Sequence, residues 1–400
     1  MQCIYKNFDG LDMAFHGIIP TELAEKLDAA KAQAVEAKNP VAVDLPGGPA
    51  MVAETGRRGG YAFVLDTGED GETWALMAPH GEGKARWAVQ VSAKAAAFVQ
   101  HGDARAVYER ICDRLKGWGF VLERCAASGR FDSVTRIDFA MDFIVPEDWE
   151  LNPADVASKG SKTGYLEGAS AHWSGRRVTG CTIGKMPGRQ VVIYDKIADT
   201  VKKQKDYWWK VWGLDPKGPE KVFRVELRAG KKFLRDTWGV GSFEDVYISI
   251  GDIMADTLEK VRLISPIDSN ISRCPDAPLW VKARQVIGEG LAGLFTGLAP
   301  GVVKQTVRER FSATMEKLMR GVALTYASVD VGTAHLPTIL ARVKTMADSV
   351  ISQIEDDGDE VLKHAEKALN RYRLIEADKW KKIHNRHVPA WQSNPGNCAA

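Results

Sequence analysis

Cysteine pairs, long apolar runs and the common nucleotide and hydrolase motifs are all missing from this chain. Its six cysteines (Cys3, Cys112, Cys125, Cys181, Cys274 and Cys398) are scattered, with no CxxC pair. That argues against a zinc ribbon or a disulfide framework and for reduced thiols. No stretch approaches the roughly 18 consecutive apolar residues of a membrane-spanning helix. Lys6, Asp9 and Asp12 stand where a secretory leader would be apolar. The expectation is a cytoplasmic protein with no membrane partner. Neither GxxxxGK(S/T) nor GxSxG occurs, which removes the phosphate-loop and nucleophile-elbow readings.

What is present is ordinary in bulk and uneven in detail. Hydrophobic residues make up 45% of the 400 positions and the net charge is +2, as in a soluble globular chain long enough for two domains. The first part alternates between strand and helix patterns: a strand over 10–19, a helix over 22–37, a hairpin from 61–65 and 73–77, a strand over 86–92 and an amphipathic helix over 103–116. Strands at 179–184 and 190–196 bracket the basic turn Lys185–Arg189, and a helix follows from Ile197 to about Trp212. After Phe243 helical periodicity dominates. Residues 265–278 read as a linker, with helices near 279–293, 301–327, 336–355 and 357–383 and a loose tail from Val388. The pattern predicts an α+β fold: an antiparallel sheet with packed helices over 1–264, then a mostly helical accessory domain over 265–400.

Three segments share one design. In Arg136–Phe143, Val191–Lys196 and Phe223–Arg228, apolar and ionisable residues alternate. On strands, alternate side chains point to opposite faces. Ile137, Phe139, Met141, Phe143, Ile193, Phe223, Val225 and Leu227 then build a core, while Arg136, Asp138, Asp142, Tyr194, Lys196, Arg224, Glu226 and Arg228 collect on the other face. If these strands are neighbours, carboxylates, a phenol and cations meet on one surface.

Such a surface has two readings at each position. Asp138 and Asp142, four residues apart, are separated by about 13 Å along a strand, too far to hold one ion together; Asp138 is the candidate ligand and Asp142 its support. Cross-strand ion pairs on a solvated face are the alternative. Glu226, between Arg224 and Arg228, belongs either to an ion-pair ladder against Asp138 or to a site for Mg²⁺ or Mn²⁺, with Arg224 and Arg228 gripping phosphate. Tyr194 is either a half-buried packing residue or a nucleophile. A phenol titrates near 10 and needs a cation beside it to react at neutral pH; Lys196 is placed for that.

Between Lys185 and Arg235 there are 14 Lys and Arg against 6 Asp and Glu, with Tyr207, Trp208, Trp209 and Trp212 interleaved. Cations that track phosphates and rings that stack bases suit single-stranded nucleic acid; a solvated helix with core tryptophans is the alternative. His384 and His387 lack companion carboxylates or cysteines and read as surface residues.

In order, Arg136-x-Asp138-x-x-x-Asp142, Tyr194-x-Lys196 and Arg224-x-Glu226, with Cys181–Lys185 before the tyrosine, resemble the Rep_trans family of rolling-circle replication initiators and related relaxases. The likeness spans about residues 8–260, most strongly 134–236. It implies a metal-dependent enzyme that binds double-stranded origin DNA and exposes the nick site as a single strand. Tyr194 would attack one phosphodiester to give a 5′-phosphotyrosyl intermediate and a free 3′-hydroxyl, and would later rejoin ends. Asp138 and Glu226, with Asp142, would hold Mg²⁺ or Mn²⁺; Lys196 and Arg224 would assist catalysis; Arg136, Lys185, Arg189, Arg228 and Lys231 would contact DNA. A host helicase and a second copy of the chain are the implied protein partners. The basic helices of the C-terminal part (Arg308, Arg310, Lys317, Arg320; Arg371, Arg373, Lys379, Lys381, Lys382) would serve DNA binding or dimerisation. The His-hydrophobic-His metal motif of many rolling-circle enzymes does not occur here. Rival readings are a conjugative relaxase with the same chemistry, a metal nuclease that uses water, and a DNA-binding regulator without catalysis.

Overall fold

The computed structural model describes residues 1–79, 86–124, 129–158, 170–291, 302–329 and 335–371. The expected helix over 357–383 is therefore described only to residue 371. Arg373, Lys379, Lys381, Lys382, His384, His387, Cys125, Cys398 and the side chain of Arg371 lie outside the described residues.

Strand β1 (Gln2–Ile18) is followed by helix α1 (Thr21–Ala37), the hairpin of β2 (Val41–Leu45) and β3 (Gly48–Val52), and strands β4 (Phe63–Asp66), β5 (Glu72–Met77) and β6 (Trp87–Lys94). Helices α2 (Ala95–His101) and α3 (Ala104–Gly117) lead to the short β7 (Val121–Leu122) and the long β8 (Asp132–Val145). Next come β9 (Val156–Ser158), β10 (Ser170–Ser174), β11 (Arg177–Gly184), β12 (Arg189–Asp195), α4 (Lys196–Lys203), α5 (Tyr207–Trp212) and β13 (Lys221–Gly230). Helix α6 (Phe243–Lys260), β14 (Val261–Leu263) and α7 (Pro278–Gly288) precede α8 (Val302–Val329), α9 (Leu336–Asp356) and α10 (Gly358–Arg371).

Twelve strands form one sheet in the order β10-β11-β12-β13-β8-β1-β6-β5-β4-β3-β2, with β7 beside β1. The predicted α+β class is what the chain adopts: an antiparallel sheet with packed helices and a helical C-terminal region. The alternation in β8, β12 and β13 gives one apolar face, where Ile137, Phe139, Met141, Phe143, Val191, Ile193, Val225 and Leu227 are fully buried. Helix α6 covers this face. It starts at a capping box of Ser242 and Asp245 and buries Phe243, Val246, Ile250, Ile253 and Met254; the box satisfies two backbone donors at a helix start.

The described residues divide into two compact units, with the break between Val303 and Lys304. Helix α7 belongs to the first, because Leu279, Trp280, Ala283, Val286 and Ile287 join its core. The linker-like stretch before α7 is also tied down: Cys274 is buried, Asp276 bridges Ile264 and accepts from Arg262 Nε at 2.5 Å. In the second unit, α8 and α9 leave Leu318, Met319, Val322, Leu340, Val350 and Ile354 exposed.

Three local features differ from the sequence expectation. Strand β1 starts at Gln2, eight residues before the expected Gly10. Strand β12 stops at Asp195, whose carboxylate caps the next helix by accepting from Ala198 N, so Lys196 opens α4 instead of ending a strand. The helix expected from Ile197 to Trp212 is broken at Gln204, which takes a left-handed conformation (φ 56°), leaving α5 free to turn back onto the sheet.

Candidate active site

Register fixes the second face of the sheet. Tyr194 of β12 pairs with Arg224 of β13, and Arg224 pairs with Asp142 of β8. Two residues along, Val192 pairs with Glu226 and Glu226 with Ala140; further on, Gln190 pairs with Arg228 and Arg228 with Asp138. Tyr194, Glu226, Arg228, Asp138, Arg224 and Asp142 thus share one face, opposite the apolar core.

That face has an outer and an inner layer. In the outer layer, the Tyr194 hydroxyl donates to Glu226 Oε2 at 3.2 Å, and Arg228 Nε donates to Glu226 Oε1 at 2.7 Å and Nη1 to Gln190 Oε1 at 2.8 Å. Arg136 donates to Asp138 from Nε at 2.9 Å and from Nη2 at 2.5 Å. Gly10 of β1 lies opposite Asp138, where a Cβ would come 2.8 Å from Asp138 Oδ2; the glycine makes room for the carboxylate.

In the inner layer, Arg224 is fully buried. Its Nε and Nη2 donate to the two oxygens of Asp142 at 2.6 and 2.8 Å, and its Nη1 donates to Asp9 Oδ1 at 2.6 Å. Trp212 Nε1 adds a bond to Asp142 Oδ2 at 2.9 Å. Helix α5 causes this burial: Tyr207, Trp208 and Trp212 pack on this face with Tyr5, Val99, Ala140 and Val222. These rings are therefore interior packing, with Trp208 between the Arg224 guanidinium (4.3 Å) and the Lys196 ammonium (4.7 Å), an arrangement that cation–π attraction favours.

Lys196 is buried beside the site. Its Nζ lies 5.5 Å from the Tyr194 ring centre and donates to Asp199 Oδ2 at 3.2 Å. Burial, reinforced by Arg224, pulls its pKa down to about 8. Burial and the neighbouring Glu226 carboxylate push the Tyr194 phenol well above its ordinary value, so the resting nucleophile candidate is neutral. Burial also raises Asp138 to about 7; Arg136 opposes the shift and Glu226 adds to it. Asp9 is held below the usual carboxylate range: burial works against its charge, but Arg224, Lys196 and Lys205 outweigh it.

The expected DNA-contacting residues do not all gather here. Arg136 and Arg228 lie on the Tyr194 face. Lys185 and Lys231 are exposed at the far end of β12 and β13. Arg189 lies on the core side, 3.6 Å from Asp256 of α6 and stacked 5.4 Å from the Phe233 ring. Asp9, Gln190 and Asp199 were not singled out by sequence. Asp9 sits at a bulge between Phe8 and Gly10, so it falls on the polar face together with Gly10, out of step with the core residues Leu11, Met13 and Phe15 that follow.

Among the described residues, no group of three or more His, Cys, Asp or Glu is arranged around a metal position. Asp138 and Glu226 still fit a hard cation in kind. They are diagonal neighbours whose mutual repulsion contributes to the raised Asp138 pKa, and Mg²⁺ commonly takes one or two carboxylates and completes its shell with water and substrate phosphate.

No protein-family model matches the chain, and no curated protein matches it. Among solved structures it is similar to the rolling circle replication initiator protein from Geobacillus stearothermophilus, at 14% identity and a TM-score of 0.39, over 72% of this chain and 98% of that one.

Proposed function

We propose that this chain is a rolling-circle replication initiator, a DNA nicking and joining transesterase with Tyr194 as its nucleophile. The observation that carries the reading is the Tyr194 hydroxyl donating to Glu226 on a face that also holds Asp138, Arg136, Arg228 and Lys196. The ordered motifs of the sequence supply the reaction class. Tyr194 Oη attacks the scissile phosphorus, its proton passes to Glu226 Oε2, and the bond from phosphorus to the 3′-oxygen breaks. The departing 3′-oxygen takes up a proton, so the products are a 5′-phosphotyrosyl protein and a free 3′-hydroxyl; the reverse attack joins ends.

Lys196 stabilises the developing phenolate from the ring side, and Arg136 and Arg228 swing from their carboxylates to the phosphate oxygens. Asp138 and Glu226 would hold Mg²⁺ or Mn²⁺, which supplies charge stabilisation at the phosphate. Arg224 and Asp142 act beneath this layer as scaffold: their ion pair, with Asp9 and Trp212, fixes the strand that carries Glu226. Origin DNA is the proposed substrate. A host helicase and a second copy of the chain are the proposed partners, the latter covering the exposed apolar residues of α8 and α9.

The test is a gel assay for covalent adduct with labelled single-stranded DNA from the protein's own replicon, in Mn²⁺ or EDTA. A Mn²⁺-dependent protein–DNA band that Tyr194→Phe does not form is the expected result. Cleavage without adduct would point to a water-using nuclease, and binding without either to a DNA-binding regulator. Nick positions at a transfer origin instead of a replication origin would make it a relaxase.

A further inference from the structure

We propose that His172 is a further catalytic residue of this site, the acid that protonates the 3′-oxygen as it leaves phosphorus. The inference rests on the reading of Tyr194 as nucleophile. His172 lies on β10, the edge strand, and pairs in register with Gly180 of β11, which pairs in register with Tyr194 of β12. Three consecutive antiparallel strands therefore place the His172 and Tyr194 side chains on the same face, two strand spacings apart, about 9.5 Å between backbones.

The position between them carries no side chain. Gly180 is held to glycine by contact, because a Cβ there would lie 2.8 Å from Tyr194 Cβ and 2.9 Å from the Ile193 carbonyl oxygen. The result is a bare backbone floor with the phenol on one side and the imidazole on the other. The His172 ring is also oriented: its Nε2 is 2.9 Å from Thr182 Oγ1, on the next position of the same face, which leaves Nδ1 to meet a ligand. All five residues of β10 are exposed, so substrate can reach the ring.

The order across the strands matches an in-line displacement. Glu226 on β13 accepts the Tyr194 hydroxyl bond from one side, and the glycine floor with His172 lies on the other. Proton acceptor, nucleophile, space for phosphorus and proton donor then follow one another along a line. In the forward step the Tyr194 Oη–phosphorus bond forms and the phosphorus–O3′ bond breaks with its electron pair on O3′. The imidazolium gives its Nδ1 proton to O3′ while its Nε2–H stays on Thr182, and Glu226 takes the tyrosine proton. Joining runs the same transfers backward, with neutral His172 as base toward the attacking 3′-hydroxyl.

A bridging-sulfur substrate isolates this role. Adduct formation by wild type and His172→Ala is timed in Mn²⁺ on single-stranded DNA carrying the mapped nick site, once with the natural 3′-oxygen and once with sulfur in its place. A thiolate leaves without a proton. The variant should be slower than wild type on the oxygen substrate by roughly 100-fold, in the range of general acid catalysis, and within about threefold of wild type on the sulfur substrate. Equal slowing on both, or none on either, would overturn the role of His172 while leaving Tyr194 untouched. No adduct from wild type on either substrate would remove both proposals. The ring is exposed on an edge strand, so the variant's thermal midpoint should match wild type and confirms that folding is not the cause.

Discussion

Arg224 and Asp142 face each other in register on β13 and β8, and their side chains close a two-bond fork at 2.6 and 2.8 Å with no access to solvent. Taking two charges out of water is costly, and removing one partner leaves the other buried without compensation. Asp142→Ala should therefore destabilise the protein by about 3–5 kcal/mol, measured by urea unfolding. The double substitution Asp142→Leu with Arg224→Met should recover most of that loss, since an apolar pair of similar volume needs no desolvation. A loss below about 1 kcal/mol in the single variant would mean that water reaches the guanidinium.

Asp138 gives the site a measurable pH dependence. In the folded protein its carboxyl is raised to about 7 from 3.8, chiefly by burial. Between those values the folded state binds more protons than the unfolded state, so this group's contribution is fully present below about pH 4 and is lost as pH rises through 7. In EDTA, wild-type stability should fall across that window by as much as about 4 kcal/mol, at about 1.36 kcal/mol per pH unit. Asp138→Asn should remove that slope. An identical slope in both proteins would show that another group titrates there.

Glycine at 180 should matter for geometry more than for stability. Gly180→Ala forces Tyr194 or its backbone to shift, given the 2.8 Å approach to Tyr194 Cβ; overpacking of this kind costs about 1–3 kcal/mol. Adduct formation should drop at least tenfold, because small displacements of a nucleophile are expensive in rate. Gly251→Ala in α6, where a Cβ meets nothing within 4 Å, serves as the control. It should keep full activity and gain up to about 1 kcal/mol from helix propensity. Comparable activity in the two variants would show that Tyr194 tolerates the crowding.

Much of the polar face was legible because a strand has a period of two. Once Arg136–Phe143 and Phe223–Arg228 are read as strands, parity alone puts Asp138, Arg136, Glu226 and Arg228 on one side and Ile137, Phe139, Val225 and Leu227 on the other. Parity says nothing about what covers a face. The Trp208 and Trp212 pattern gives a helix but not its docking position, so the burial of Arg224 and Asp142 was hidden. Asp9 escaped for a related reason: a bulge shifts the alternation locally, and no residue type announces it. Strand parity places Lys196 in the right neighbourhood through the wrong element, since Asp195 ends the strand and caps a helix at that point. The β2–β3 hairpin was missed because Pro46-Gly47-Gly48 reads as turn material while the two flanking strands are only five residues each.

The strand order has a consequence for synthesis of the chain. Strand β1 is bonded along most of its length to β8, and β8 in turn to β13, so the first strand waits for partners made more than a hundred residues later. Such distant pairings close slowly and late. Asp9, Asp138, Tyr194 and Glu226 cannot meet until β13 has left the ribosome, and a nascent chain that stops short of Lys221 lacks both the carboxylate beside the tyrosine and the strand that joins β12 to β8. Prematurely terminated products would thus be unable to cut DNA, a safeguard for a protein whose proposed reaction opens a strand of its own template.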